Sequence, residues 1–235
     1  MFRSDGDGPG ASGAILTLDT SAARCAAAVF LAEGVGAVPT ALALRDEPMA
    51  RGQAERLAPM IAEVLAEAGL SAPQLRGIVV CTGPGNFTGL RIAVAAARGL
   101  ALGAGRPAVG VPRLEALAAA RTGRGVASAA ATRGRLYLQR FETREGISGP
   151  SSDLTAIDVA EAAETPLAEA EWVVGPLGRV LRRDADASDI APLEALARLG
   201  AIALTRAEPA RPAPIYLRPP DAAPPAEGPP PRLSA

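Results

Sequence analysis

A two-lobed α/β fold, each lobe a mixed sheet flanked by helices and the second lobe reduced, is what this sequence predicts. Short apolar runs of strand length alternate with stretches of helical spacing, and the paired runs at the start of the first half read as a hairpin. The 235 residues suit one large domain or two lobes of about 100 residues each, with a core that needs no staples.

Ala14 to Leu18 (AILTL) is the first strand, ending at Asp19-Thr20-Ser21, and Cys25 to Leu31 returns across the loop DTSAAR as a hairpin. Val38 to Leu44 continues the meander. The period then changes: Leu57, Met60, Ile61, Val64, Leu65 and Ala68 recur at helical spacing until Gly69. Ile78 to Cys81 is a buried strand, GPGNFTG a loop, Leu90 to Leu102 a second helix, and Pro107 to Val111 a further strand. A hairpin followed by strand, helix and strand is the half-domain plan of the actin-like fold.

The second half repeats this weakly. A helix is expected from Arg113 to Ala120, strands at Val126–Ala131, Leu136–Phe141 and Trp172–Val174, and helical segments at Pro176–Arg183 and Pro192–Leu204. The expected organisation is a polar leader at 1–13, an N-terminal lobe at 14–112, a smaller C-terminal lobe at 113–208 and a proline-rich tail at 209–235.

Composition narrows the chemistry. The chain has no histidine, which removes His-based acid–base catalysis, Ser-His and Cys-His nucleophiles and His-rich metal sites. Cys25 and Cys81 lie far apart in apolar runs and make neither a zinc site nor a disulfide framework. A net charge of -1 supplies no overall field for a polyanion, so any contact with RNA is local or indirect. Without a secretory start or a run of about 18 apolar residues, a cytoplasmic protein without a membrane segment is expected.

Two loops carry the candidate chemistry. Asp19 and Thr20 stand where a carboxylate and a hydroxyl can face a phosphate and its magnesium, or where a turn bonds its own amides. Gly83 and Gly85, in GPGNFTGLR, allow a tight path into a helix whose free amides suit an anion; alternatively Asn86 or Thr88 caps that helix. Neither a dinucleotide fingerprint nor a P-loop is present. Leu57, Ile61, Val64, Leu90, Val94 and Ala97 form apolar stripes on the two helices, with Val94 and Ala97 the expected exposed edge; one sequence does not separate an interface stripe from a core stripe. The doublet Arg182-Arg183 reads as solvated surface.

The stretch GPGNFTGLRIAVAAARGLALGAGRPAVGVPRLEALA, preceded by ILTLDTS and RGQAERLAPMIAEVLAEAG and followed by LYLQRF, WVVGP and APIYLRPPDA, closely resembles the TsaB (YeaZ) family. That resemblance implies an actin-like fold and a part in forming threonylcarbamoyladenosine at position 37 of tRNAs that read codons beginning with A. It implies a non-catalytic scaffold or activating subunit that pairs, through its N-terminal lobe, with the catalytic paralogue TsaD. An ATPase resembling TsaE would join the pair, tRNA would be engaged indirectly, and in the partner's absence the chain would be able to pair with a second copy of itself. No cofactor is implied for this chain alone, with ATP expected only at the level of the complex.

Where the catalytic paralogue has an HxxxH metal pair after a strand resembling PAVGV, this sequence has Arg113 and Leu117, which cannot replace two imidazoles. Gln53 stands at the histidine of the family's RxHxExLxP helix motif, and AAATRG replaces an Asp-Ala-Arg segment. The alternative function, of a different class, is an actin-like ATP-binding protein or kinase using the Asp19 loop. Peptidase activity is a third reading, disfavoured by the missing metal ligands.

Overall fold

The computed structural model describes residues 13–33, 37–131, 133–144, 147–162, 164, 169–181, 188 and 190–217. The expected leader (apart from Gly13), the tail beyond 217 and the doublet Arg182-Arg183 lie outside them.

The first sheet comprises β1 (Ala14–Asp19), β2 (Arg24–Leu31), β3 (Thr40–Pro48), β4 (Gly77–Cys81) and β5 (Ala108–Val111), in the order β3-β2-β1-β4-β5. The meander pairs antiparallel, with Thr17 opposite Ala28, while β4 joins β1 in parallel, with Leu16 opposite Ile78. β1, β2 and β4 are buried on both faces, which explains their nearly continuous apolar runs. β3 ends in the polar RDEP because it is an edge strand whose outer residues meet water.

Helices α1 (Gln53–Glu67) and α2 (Phe87–Ala104) cover one face of this sheet, with Leu57, Met60, Val64, Ala93, Val94 and Ala97 in a shared core. The opposite face is covered by α6 (Leu193–Ala203), which comes back from the second half of the chain to place Leu196, Ala197 and Ala201 on Ile15, Val79 and Val109. Position in the sequence gave no hint of that return.

The second sheet runs β10-β6-β7-β8, with β9 also on β7: β6 (Arg124–Ala130), β7 (Arg135–Arg144), β8 (Ile147–Pro150), β9 (Thr155–Asp158) and β10 (Trp172–Val174). Its helices are short: α3 (Arg113–Ala118), α4 (Val159–Ala162) and α5 (Pro176–Val180). β6 pairs antiparallel with β7 and parallel with β10, the plan of the first sheet in smaller form. Two mixed sheets with flanking helices make the expected actin-like fold, with the second sheet's helical layer reduced. The segment 209–217, grouped with the tail on composition, is seated on the first sheet's edge: Pro212 is buried against Gly110, and the Ile215 amide donates to the Thr82 carbonyl at 2.9 Å.

Candidate functional site

The two candidate loops meet. The β1–β2 turn packs on the loop between β4 and α2, where the Asn86 amide donates to the Ser21 carbonyl at 2.8 Å and the Thr20 hydroxyl donates to the Gly89 carbonyl at 2.6 Å. Backbone lies so close to backbone that a Cβ on Gly85 or Gly89 would fall under 3.0 Å from the carbonyl oxygen of Ser21 or Thr20. Glycine is required there by close approach. Asn86 stands at the N-cap position of α2, but its side chain makes no capping bond.

Asp19 is fully buried and both its oxygens are used within the chain. Oδ1 accepts from the Ser21 amide at 2.7 Å, and Oδ2 accepts from Arg24 Nη2 at 2.8 Å. Arg24 is held further by Asp46 at 2.9 Å and by the Ala191 carbonyl at 2.8 Å, so the buried charges are paired. The turn reading of Asp19-Thr20-Ser21 describes this geometry: its polar groups bond the chain itself.

Arg113 and Leu117 sit one helical turn apart on α3. The Arg113 amide donates to the Gly83 carbonyl at 2.6 Å and its Nη1 to the Pro84 carbonyl at 3.3 Å, so a buried guanidinium ties α3 to the glycine loop. Leu117 belongs to the second lobe's core with Leu114 and Phe141. A cation and an alkyl group provide no metal ligand, and among the described residues no group of three His, Cys, Asp or Glu side chains is placed to hold a metal. Gln53, also buried, donates from Nε2 to the Met49 carbonyl at 2.7 Å and closes the entry to α1.

Both cysteines are buried. Burial pushes the Cys81 thiol up to about 12 and the Cys25 thiol up to about 11, so each stays protonated at neutral pH. Cys81 Sγ lies 3.4 Å from Ser21 Oγ, but a protonated thiol with no base beside it is not a nucleophile.

The six residues expected to face a partner do not. Leu57, Ile61, Val64, Leu90, Val94 and Ala97 are all buried in this chain's own core, Ala97 completely, so Val94 and Ala97 are not the exposed edge. An apolar stripe packs on its own sheet unless the sheet is already covered, and here it was not. Outward-facing instead are Ala54, Ala58, Ala62 and Ala66 on α1, and Ala95 and Gly99 on α2. One flank of the α1 face carries a charged ladder, with Arg56 on Glu47 and Glu63 and Arg45 on Glu67, each at 2.6 Å. Helix α2 is long and apolar enough by length and composition to cross a membrane, but its apolar side is spent on β4 and β1, and it carries Arg91 and Arg98. Near its start Arg91 stacks 3.8 Å over the exposed Phe87 ring and donates to the Tyr216 hydroxyl at 3.0 Å, which fastens the C-terminal segment.

Residues 44–165, just over half of the chain, match the family model described as TsaD, tRNA N6-adenosine threonylcarbamoyltransferase. The tRNA threonylcarbamoyladenosine biosynthesis protein TsaB of Escherichia coli is 35% identical over 104 residues, 44% of this chain and 42% of that one. A tRNA N6-adenosine threonylcarbamoyltransferase of Maricaulis maris is 38% identical over 116 residues, 43% of this chain and 30% of that one. The matches thus span well under half of these relatives. A Pseudomonas aeruginosa crystal structure, described as an uncharacterized protein with similarity to peptidase YEAZ, superposes with a TM-score of 0.73 at 30% identity, covering 87% of this chain and 99% of that one. With half its length in the family model and nearly all of that solved relative matched, this chain belongs to the TsaB (YeaZ) family.

Proposed function

We propose that this chain is a non-catalytic subunit in the formation of threonylcarbamoyladenosine on tRNA, pairing with a TsaD-type paralogue through the outer face of α1 and α2. The observation that carries the reading is the spent interior: Asp19, Arg24 and Arg113 are buried and bonded within the chain, and the positions of the paralogue's metal pair hold a cation and an alkyl group. What such a protein has left to offer is surface. Ala58, Ala62, Ala66, Ala95 and Gly99 let a partner's helices approach closely, because small side chains hold no backbone at a distance. The name of the Escherichia coli relative supports the pathway, and a TsaE-like ATPase and self-pairing in the partner's absence belong to the same reading. The ATP-binding alternative finds no open ligand in Asp19.

Reconstitution of the modification from purified components tests it. Product is expected to vanish when this chain is omitted, and to vanish with an Ala62→Arg/Ala95→Arg variant that folds normally but no longer co-elutes with the paralogue. Equal product without the chain, or ATP hydrolysis by the chain alone, would sink the proposal.

A further inference from the structure

A groove of about 600 Å³ runs between the C-terminal half of α2 and the segment 209–212 on the first sheet's edge. Three arginines line it, Arg98, Arg106 and Arg211, and no carboxylate is among its described lining residues. Glu208 precedes the segment in sequence but is not part of the wall. Arg106 spends its Nε on the Pro73 carbonyl at 2.7 Å, whereas Arg98 and Arg211 are exposed with no hydrogen bond or ion pair to the described residues. By contrast the half-buried Arg45 and Arg56 of this lobe are paired with carboxylates. Beside the arginines stand prolines and Leu102, 87% exposed, an apolar wall that the chain's own packing leaves open.

We infer that this groove binds phosphate esters: the backbone of an RNA strand, or the phosphates of a free nucleotide. Arginine forks match phosphate oxygens two at a time, and unpaired forks facing one cavity suit successive phosphates better than a single ion. The volume accommodates a nucleotide unit, and the apolar wall suits a base or ribose. With a net charge of -1 the whole chain attracts no polyanion, so this site acts through its local charge. It borders the proposed partner face at Gly99 and opens toward the C-terminal segment, goes beyond the partner reading and does not depend on it.

The test uses the full chain alone. Anisotropy of a fluorescein-labelled single-stranded RNA is titrated at two salt concentrations, with ATP in a parallel calorimetric arm. Three phosphate contacts predict a slope of log affinity against log salt of about −2, so a fourfold rise in salt weakens binding about 15-fold. The Arg98→Ala/Arg211→Ala variant is expected to bind at least about tenfold more weakly and to lose most of that slope. An Arg51→Ala/Arg179→Ala variant, which removes two exposed arginines elsewhere, controls for charge and should bind as the parent does. Binding of ATP but not RNA, lost in the groove variant, identifies the free nucleotide as the phosphate's source. Absence of binding to both ligands at low salt, or an equal loss in the control variant, would overturn the inference. Because no paralogue is in the assay, that result leaves the partner reading untouched.

Discussion

The two lobes use one plan and finish it differently. In each, the first strand pairs antiparallel with its hairpin partner and parallel with a later strand that ends in Gly-Pro before a helix. In the first lobe the residues Thr82 to Asn86 separate strand from helix, and the helix runs 18 residues. In the second Gly175 alone separates them, and the helix runs 5 residues. The hairpin turns differ as well. The first buries Asp19 against Arg24; the second is exposed at Arg133 and Gly134, both in the left-handed region, and holds no carboxylate. In an actin-like fold these turns are where a nucleotide's phosphates would be sought, and here one is filled by the chain and the other has no equipment. The buried charge of the first turn therefore serves stability.

The comparison is broken most directly at Asp19. Asp19→Ala leaves a buried guanidinium with only the half-exposed Asp46 and the Ala191 carbonyl, and is expected to cost about 3 kcal/mol in denaturant unfolding. Adding Arg24→Met should restore most of that loss, because both buried charges are then gone. In the second lobe's turn, Arg133→Ala should move stability by no more than about 0.5 kcal/mol. Equal effects at the two turns would show that the first is not a structural lock.

Glycine substitutions sharpen the same contrast. Gly85→Ala or Gly89→Ala drives a methyl into the carbonyl of Ser21 or Thr20 and should lower stability by about 1–3 kcal/mol. Gly99→Ala and Gly103→Ala meet open space on the same helix and should raise it by about 0.5–1 kcal/mol each. Opposite signs in thermal melts, within one helix and its entry loop, are the expected result.

Periodicity made the strands and long helices legible because burial on one or both sheet faces dictates where apolar residues fall. β8, β9 and α4 were not legible: they are short, and β9 and α4 are largely exposed, so the sequence there reads as a polar stretch. The glycine loop was visible as a motif, but only coordinates show that Gly85 and Gly89 serve close packing against the first turn. The interface residues failed for a different reason. In an Ala-rich helix the inward Leu57, Ile61 and Val64 and the outward Ala58, Ala62 and Ala66 are all apolar, so hydrophobicity alone does not separate the buried face from the exposed one. The arginine groove was equally hidden, since Arg98, Arg106 and Arg211 are far apart in sequence and join only when the segment after α6 lies along the sheet edge.

The smallest effect separates two kinds of carboxylate. On α1 and β3, hydrogen bonds from Arg56 hold Glu63 and Glu47 below the usual carboxylate range, so their support is present above about pH 4.5 and is lost as pH falls through their lowered values. On α3, burial raises the Glu115 carboxyl, opposed only by Arg206. A raised folded value means that its contribution is fully present below the ordinary value of 4.5 and is lost as pH rises through the folded one. Glu115→Gln should therefore raise the melting temperature at neutral pH by a degree or so, with the gain shrinking to nothing in acid, while Arg56→Ala should lower it at neutral pH with a loss that shrinks in acid. Melting curves of both variants across that range check the signs, and a gain for Glu115→Gln that persists at low pH would mean the carboxyl's charge is not what costs the fold there.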